Sequence, residues 1–249
     1  MSPYFLGPDE MAVVMRNELL PHLKNADPAA VYFYGTGNKD PENAKRTKKA
    51  LLTVFPGAKV EVNHDLTGAA RALCGHDKGI ACILGTGSNS CYYDGKKIVK
   101  NSPGIGYVLG DEGSGAFLGK KLIQYYLYEI FDEDLKSKFD VAFKTGAAQV
   151  LENVYRKPLP NRYLASFTTF LSANRGHYMI ENIIEDGLND FFSIHLDHYK
   201  EIRKYPVHFT GSIAFYFKDV IENLCEAYGF LLGTILKNPM EGLVRYHKI

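Results

Sequence analysis

Tryptophan is absent from this 249-residue chain, so no indole face can stack on a ligand. Cysteine is scarce, and Cys74, Cys82, Cys91 and Cys225 form neither a CxxC pair nor a zinc-like spacing. A reduced, cytoplasmic protein is the expectation that follows. Excess charge is also missing: 29 Lys+Arg stand against 28 Asp+Glu, for a formal net charge of +1. That balance gives no electrostatic reason to expect nucleic acid or an anionic membrane as partner. The longest uncharged apolar stretch, around Gly229 to Leu236, falls far short of the roughly 20 residues of a membrane helix. The opening MSPYFLGPDEMAVVM has no basic residue ahead of its apolar positions and no long apolar core, unlike a secretory signal. The eight histidines include no HxxxH or HExxH arrangement, so no metal centre is expected. His177, His195 and His198 read as helix-surface or packing residues.

Hydrophobic residues make up 46% of the chain and charged residues 23%, the composition of a globular protein with one large domain or two small ones. Met11 to Leu23 has helical spacing, with Pro21 ending the regular pattern. Val31 to Tyr34 predicts a strand, Asp40-Pro41 a capped helix to about Phe55, and Lys59 to Val62 a second strand. Asp65 to Cys74 predicts a helix stopped by Gly75, and Ile80 to Leu84 a third strand. Asp94-Gly95 marks a hairpin between Ser90–Tyr93 and Lys96–Val99. Helices are predicted over 112–131, 137–155, 161–173 and 177–200. A strand over Pro206 to Phe209, a helix over 213–227 capped by Ser212, a strand over Phe230 to Leu236 and a helix over Pro239 to Tyr246 complete the chain. Strands alternating with helices predict an α/β protein with a mixed sheet, interrupted by a helical insertion at about 112–200.

Three predicted strands end in glycine turns: GTG at 35–37, GTGS at 85–88 and TGS at 210–212. Amides in such turns can cradle phosphate oxygens, and the hydroxyls of Thr86 and Ser88 add donors, although any tight strand exit also needs glycine. There is no GxxxxGK[ST] and no GxGxxG. Asp65 follows the second strand at the start of a helix and is the best candidate general base; capping that helix is a compatible role. Gly104-Ile105-Gly106-Tyr107-Val108-Leu109-Gly110-Asp111-Glu112-Gly113-Ser114-Gly115 has five glycines in twelve residues, a large entropic cost unless backbone must approach a ligand or cap the next helix. The Asp111 carboxylate suits a hydroxyl-bearing ligand or magnesium-bound water. Tyr92, Tyr93 and Tyr107 are the aromatic rings near enough in sequence to serve as a stacking surface. Tyr125, Tyr126, Tyr128 and Phe131 read as core or subunit interface, and Lys45, Arg46, Lys48 and Lys49 as a solvated helix face.

HDLTGAARAL, ILGTGSNS, GYVLGDEGSGAFLGKKLI and HFTGSIA, in that order, resemble the BadF/BadG-type ATPase family and its N-acetylglucosamine kinases, within the sugar kinase, heat-shock ATPase and actin superfamily. The terminal NPMEGLVRYH is similar to that family's closing segment, and the resemblance covers roughly residues 30 to 249. It implies two ribonuclease-H-like, actin-like ATPase lobes that bind ATP with Mg2+ and a sugar. The N-terminal lobe would be a remnant over 1–77. The C-terminal lobe would span 78–237 and carry the helical insertion, and a terminal helix over about 238–249 would pack back on the first lobe. By resemblance, Asp65 takes the proton from the sugar hydroxyl, and Gly85, Thr86, Gly87 and Ser88 contact the β- and γ-phosphates. Gly211, Ser212 and Ala214 match the adenosine element. Gly104, Ile105, Gly106, Tyr107 and Asp111, with Asp65, match the sugar site. A homodimer joined through the helical part of the second lobe is also implied.

The sequence departs from the family in one respect. Members begin with a strand, a DxGxTxT phosphate loop and two further strands, and no such motif occurs here. The expectation is a truncated N-terminal lobe, with catalysis impaired and sheet edges left open. An ATP-dependent kinase of N-acetylglucosamine or a related amino sugar is the leading expectation. A non-catalytic sugar-binding or regulatory module, or an incomplete kinase, is the alternative. An ATPase activator holding an iron–sulfur cluster through cysteines is a third.

Overall fold

The computed structural model describes residues 3–23 and 27–248, which fall into two compact units, Met1–Gly68 and Ala69–Ile249. In the first, α1 (Pro8–Val14) starts on a proline, whose missing N–H is lost at no cost in a first turn. The predicted single helix to Leu23 instead continues as a π turn over Met15–Leu19 and a 3-10 turn over Leu20–His22. Pro21 lies in that last turn, where it has no N–H to continue an α-helical ladder. Strand β1 (Ala30–Tyr34) leads into α2 (Pro41–Val54), capped by Asp40, whose carboxylate accepts from the Asn43 amide at 2.9 Å. Strand β2 (Lys59–Asn63) then returns parallel to β1, from Ala30↔Lys59 to Tyr34↔Asn63. Met11, Met15, Ala50, Leu51, Phe55 and Val60 form the core of this unit.

Helix α3 (Asp65–Cys74) has the limits its sequence predicts, and the division between units falls within it, after Gly68. Its later half groups with the second unit, ahead of the expected boundary at residue 77. In that unit, strands β3 (Gly79–Leu84), β4 (Ser88–Tyr93), β5 (Ile98–Asn101), β6 (Val207–Thr210) and β7 (Leu232–Leu236) form one sheet in the order β5-β4-β3-β6-β7. The β3–β4 and β4–β5 pairs are antiparallel, and β3–β6 and β6–β7 are parallel. This is the predicted mixed α/β sheet.

Between β5 and β6 the chain is helical: α4 (Gly106–Leu109), α5 (Gly115–Leu127), α6 (Glu133–Phe143), α7 (Ala147–Tyr155), α8 (Pro160–Ser166), α9 (Thr168–Ala173) and α10 (Tyr178–Phe191), then a π turn over Phe192–Leu196. The predicted helix over 112–131 starts later, because positive φ at Asp111 and Gly113 shapes a turn that ends at the Ser114 cap. The predicted 137–155 helix divides where Lys144 adopts a left-handed conformation, and the 161–173 helix divides at Phe167. Phe131, Phe139, Phe143, Phe167 and Phe170 pack together, with Phe143 and Phe167 ring centroids 4.7 Å apart. Tyr128, by contrast, is exposed.

After β6 come α11 (Ser212–Tyr216) and α12 (Lys218–Tyr228), and after β7, α13 (Met240–His247). Ser212 is the first residue of α11 and not its cap; Gly211 holds the cap position. Strand β7 begins later than predicted, because Gly229 turns left-handed and the Phe230 amide bonds back to the Cys225 carbonyl at 2.8 Å. Within this unit α13 packs on the end of α3: a Cβ on Gly242 would strike the Ala72 carbonyl, and Tyr246 meets His76 at 4.8 Å between ring centroids. Ile249, the end of the predicted terminal helix, lies outside the described residues. Among the described residues no helix is long and apolar enough to cross a membrane.

Candidate functional site

Strands β3, β6 and β7 run parallel, so their carboxyl ends share an edge, where α/β sheets place ligands. Beyond Leu84 the chain turns through Gly85, Thr86 and Gly87, closed by a Gly85 N–H bond to the Gly87 carbonyl at 3.0 Å. The first amides of α5 hold this turn: Gly115 donates to the Gly85 carbonyl at 2.8 Å and Ala116 to the Thr86 carbonyl at 3.0 Å. Thr86 is exposed, and a Cβ on Gly85 would meet nothing within 4 Å. The turn is therefore rigidly held from behind and open in front.

Gly211 sits beside it, with φ 123° and ψ 166°, and a Cβ there would run into the Leu84 carbonyl oxygen. Its amide donates to the Leu236 carbonyl at 3.0 Å. Of its predicted companions, Ser212 is exposed and Ala214 is fully buried in the core, backbone included, so Ala214 presents no surface to a ligand. The buried hydroxyls of Ser88 and Thr210 have no hydrogen-bond partner among the described residues, although both sit at this edge. A buried hydroxyl without a partner is costly, and an oxygen-rich ligand would satisfy it.

The second predicted loop meets the first at one residue. Gly104, Ile105 and Gly106 are exposed, Tyr107 is half-buried, and α4, which includes Gly106 and Tyr107, forms a single turn that ends before Gly110. Asp111 takes φ 60°, unusual for a non-glycine residue. That backbone turns its carboxylate onto Gly87, whose added Cβ would lie 2.9 Å from Oδ2, and lets it accept from the Ser88 amide. Burial raises the Asp111 pKa above the usual carboxylate value, the Ser88 amide opposes that shift, and Glu112 adds to it. Glu112 itself bonds to His195, 2.7 Å from Oε2 to Nε2. Two segments that the sequence assigns separately to phosphate and to sugar thus share the Asp111–Ser88 contact.

In the first unit, Asp65 opens α3 and is partly exposed. Its Oδ1 accepts from the Leu66 amide at 2.9 Å and lies 3.2 Å from His64 Nδ1. The carboxylate thus caps its own helix and stays accessible. The GTG turn at 35–37 is knit from within: Asn38 Nδ2 donates to the Gly35 carbonyl at 2.9 Å, and Thr47 donates to Asn38 Oδ1 at 2.8 Å. That turn has a structural reason of its own.

Tyr92 and Tyr93 are buried in the sheet, which leaves Tyr107 as the ring on the loop. Sequence spacing missed Ser102 and the polar role of His195, whose partners lie far away in the chain. All four cysteines are free and buried. Among the described residues no three His, Cys, Asp or Glu side chains group as metal ligands.

Comparison with known proteins adds the following. The chain matches no family profile and no curated protein. A solved structure described as a "Putative N-acetylglucosamine Kinase" from Porphyromonas gingivalis is 40% identical, with a TM-score of 0.95, over 99% of this chain and 88% of that one. A second protein so described, from Chromobacterium violaceum, shows 20% identity and a TM-score of 0.65 over 96% of this chain and 82% of that one. MreB 5 of Spiroplasma citri, bound to AMPPNP, shows 11% identity and a TM-score of 0.59 over 97% of this chain and 75% of that one. The last two share the fold alone, which is the α/β fold of the actin-like ATPases.

Proposed function

The chain belongs to the family of the Porphyromonas gingivalis protein, and from that membership we propose that it is an ATP-dependent sugar kinase acting on N-acetylglucosamine or a related amino sugar. We place it, by its motifs, among the BadF/BadG-type ATPases. The observation that carries the reading is the Asp111 carboxylate, which packs on Gly87 and accepts from the Ser88 amide, so that one acidic group belongs to both candidate ligand loops.

Phosphoryl transfer asks little covalent chemistry of a protein; it asks for positioning and charge neutralisation. Gly85, Thr86, Gly87 and Ser88 would hold the β- and γ-phosphates, with the open space before Gly85 and the unpartnered Ser88 hydroxyl as the features that suit them. Gly211 and Ser212 would line the adenosine, with Ala214 buried behind them. Gly104, Ile105, Gly106, Tyr107 and Asp111 would bind the sugar. Asp65 would accept the proton that its hydroxyl loses, a general-base contribution of about 10²–10⁴ in rate. Mg2+ would arrive with ATP and supply positive charge to the phosphates. Its protein contacts would be few, since magnesium keeps most of its waters. Sugar-dependent ADP release across a panel of hexoses and amino sugars tests the reading; ADP release that no sugar increases would refute it.

The sequence has no DxGxTxT loop. A second reading is a sugar-binding or regulatory module without phosphoryl transfer. Calorimetry separates the two: the module binds an amino sugar and leaves ATP alone, whereas the kinase binds both.

A further inference from the structure

One imidazole joins both ends of the 103–111 loop. His195 Nδ1 lies 2.8 Å from the Ser102 hydroxyl, just before the loop, and Nε2 lies 2.7 Å from the Glu112 carboxylate, just after it. In the neutral ring with its proton on Nε2, facing the carboxylate, Nδ1 is the acceptor for the Ser102 hydroxyl. His195 is 5% exposed and stacks on Phe191 at 5.1 Å between ring centroids, so the ring is fixed in place. It stands on the π turn Phe192–Leu196, the kind of local widening that often marks functional sites.

The anchor behind it is also polar and buried. The Ser102 amide donates to the Tyr199 hydroxyl at 2.8 Å, and that hydroxyl donates to the Ser90 carbonyl at 3.0 Å. Ser90 in turn donates from Oγ to the His195 carbonyl at 3.2 Å. Strand β4, the end of β5, Glu112 and the π turn are thereby tied to one another. The segment between the two bonded ends contains Gly104, Gly106 and Gly110 and is largely exposed, so it has little stiffness of its own.

We propose that His195 is a clasp, a positioning residue that sets the shape of the 103–111 loop and with it the affinity for the sugar, without touching the reacting atoms. The proposal rests on the reading of this loop as the sugar site. In the full chain, His195→Ala should raise the sugar KM about tenfold, the effect of losing the bonds and stranding a buried carboxylate. The ATP KM should change by less than about twofold, because the Gly85–Ser88 turn keeps its own bonds to α5. Amide exchange across 103–111 should accelerate in the same variant. His195→Gln, which can restore one of the two bonds, should recover part of both effects. Glu112→Gln, which keeps an acceptor for Nε2, should show the smaller change and serves if His195→Ala fails to fold. An active enzyme whose sugar KM and loop exchange stay unmoved in these variants overturns the clasp. A wild type that phosphorylates no sugar overturns the kinase reading instead, and loop exchange alone then decides the clasp.

Discussion

Replacing Gly211 with alanine adds one methyl group where the backbone leaves no room for it. The residue adopts φ 123° and ψ 166°, a region open in practice to glycine alone, and the new Cβ would strike the Leu84 carbonyl. The conformation costs about 1–3 kcal/mol for any other residue. Moving the Leu84–Gly85 backbone aside adds about 1–3 kcal/mol more. A loss of roughly 3 kcal/mol is a large share of the 5–15 kcal/mol that holds a typical protein folded. Two glycines of the same unit serve as references. Gly75 has φ +60° with nothing within 4 Å of an added Cβ, so Gly75→Ala carries only the left-handed penalty of about 1–2 kcal/mol. Gly85 also faces open space, without a positive φ, so Gly85→Ala should leave stability within about 0.5 kcal/mol of wild type. Gly85→Ala should still raise the ATP KM about tenfold or more, because its methyl group would enter the space assigned to phosphate. Urea unfolding followed by circular dichroism, with steady-state kinetics on the same samples, reads both effects. If Gly211→Ala unfolds at the same urea concentration as Gly75→Ala, the close approach of Gly211 to Leu84 is wrong. If Gly85→Ala leaves the ATP KM unchanged, the phosphate assignment is wrong.

Asp65→Asn should lower kcat by about 10²–10⁴ and leave the urea midpoint in place, since asparagine caps a helix equally well. Asp111→Asn should weaken sugar use yet match or exceed wild-type stability at pH 7. Burial raises the Asp111 pKa, so its carboxyl stabilises the fold only when protonated, and that contribution disappears as pH rises through the folded-state pKa. The stability difference between variant and wild type, followed from acid to neutral pH, should shift in favour of the variant. His208 titrates in the opposite sense: burial lowers its pKa, with Asp77 opposing, so its stabilising contribution is complete above about pH 6.5 and declines as pH falls toward the folded-state value. The urea midpoint should drop between pH 7.5 and 5.5, and His208→Gln should reduce the drop. Burial pushes the Cys74 and Cys225 thiols up to about 12, and raises Cys82 and Cys91 as well. A disulfide reagent should therefore find almost no reactive thiol in the native protein and all four after unfolding.

Features set by neighbouring residues are the ones the sequence reveals. Asp40-Pro41 starts α2 because a carboxylate cap and a proline need only their own helix. Asp94-Gly95 makes the hairpin because Asp94 Oδ1 accepts the Lys96 and Lys97 amides at 2.9 and 2.8 Å while Gly95 takes φ 94°. Helix α3 ends as predicted because Gly75 turns left-handed. Features set by distant packing stay hidden. GTG at 35–37 and GTGS at 85–88 read alike, yet Asn38 and Thr47 fill the first while the amides of α5 hold the second open. The 112–131 pattern looks helical throughout, yet Asp111 and Gly113 are needed in a turn that brings a carboxylate to Ser88. His195 carries no local mark of its role, since Glu112 lies 83 residues away and Ser102 lies 93 away. Ser88 and the turn that holds Thr210 are marked by the sequence, but that both hydroxyls are buried without a partner among the described residues is seen only in the structure.

The central claim is the proposal that this chain is an ATP-dependent kinase of an amino sugar, with Asp65 as its general base. Its most direct test is ADP release by the purified protein with ATP and magnesium, with and without N-acetylglucosamine, in wild type and Asp65→Asn. The account predicts sugar-dependent ADP release in the wild type and a loss of about a hundredfold or more in the variant. ADP release that is absent, indifferent to every sugar tried, or unchanged in Asp65→Asn would contradict it.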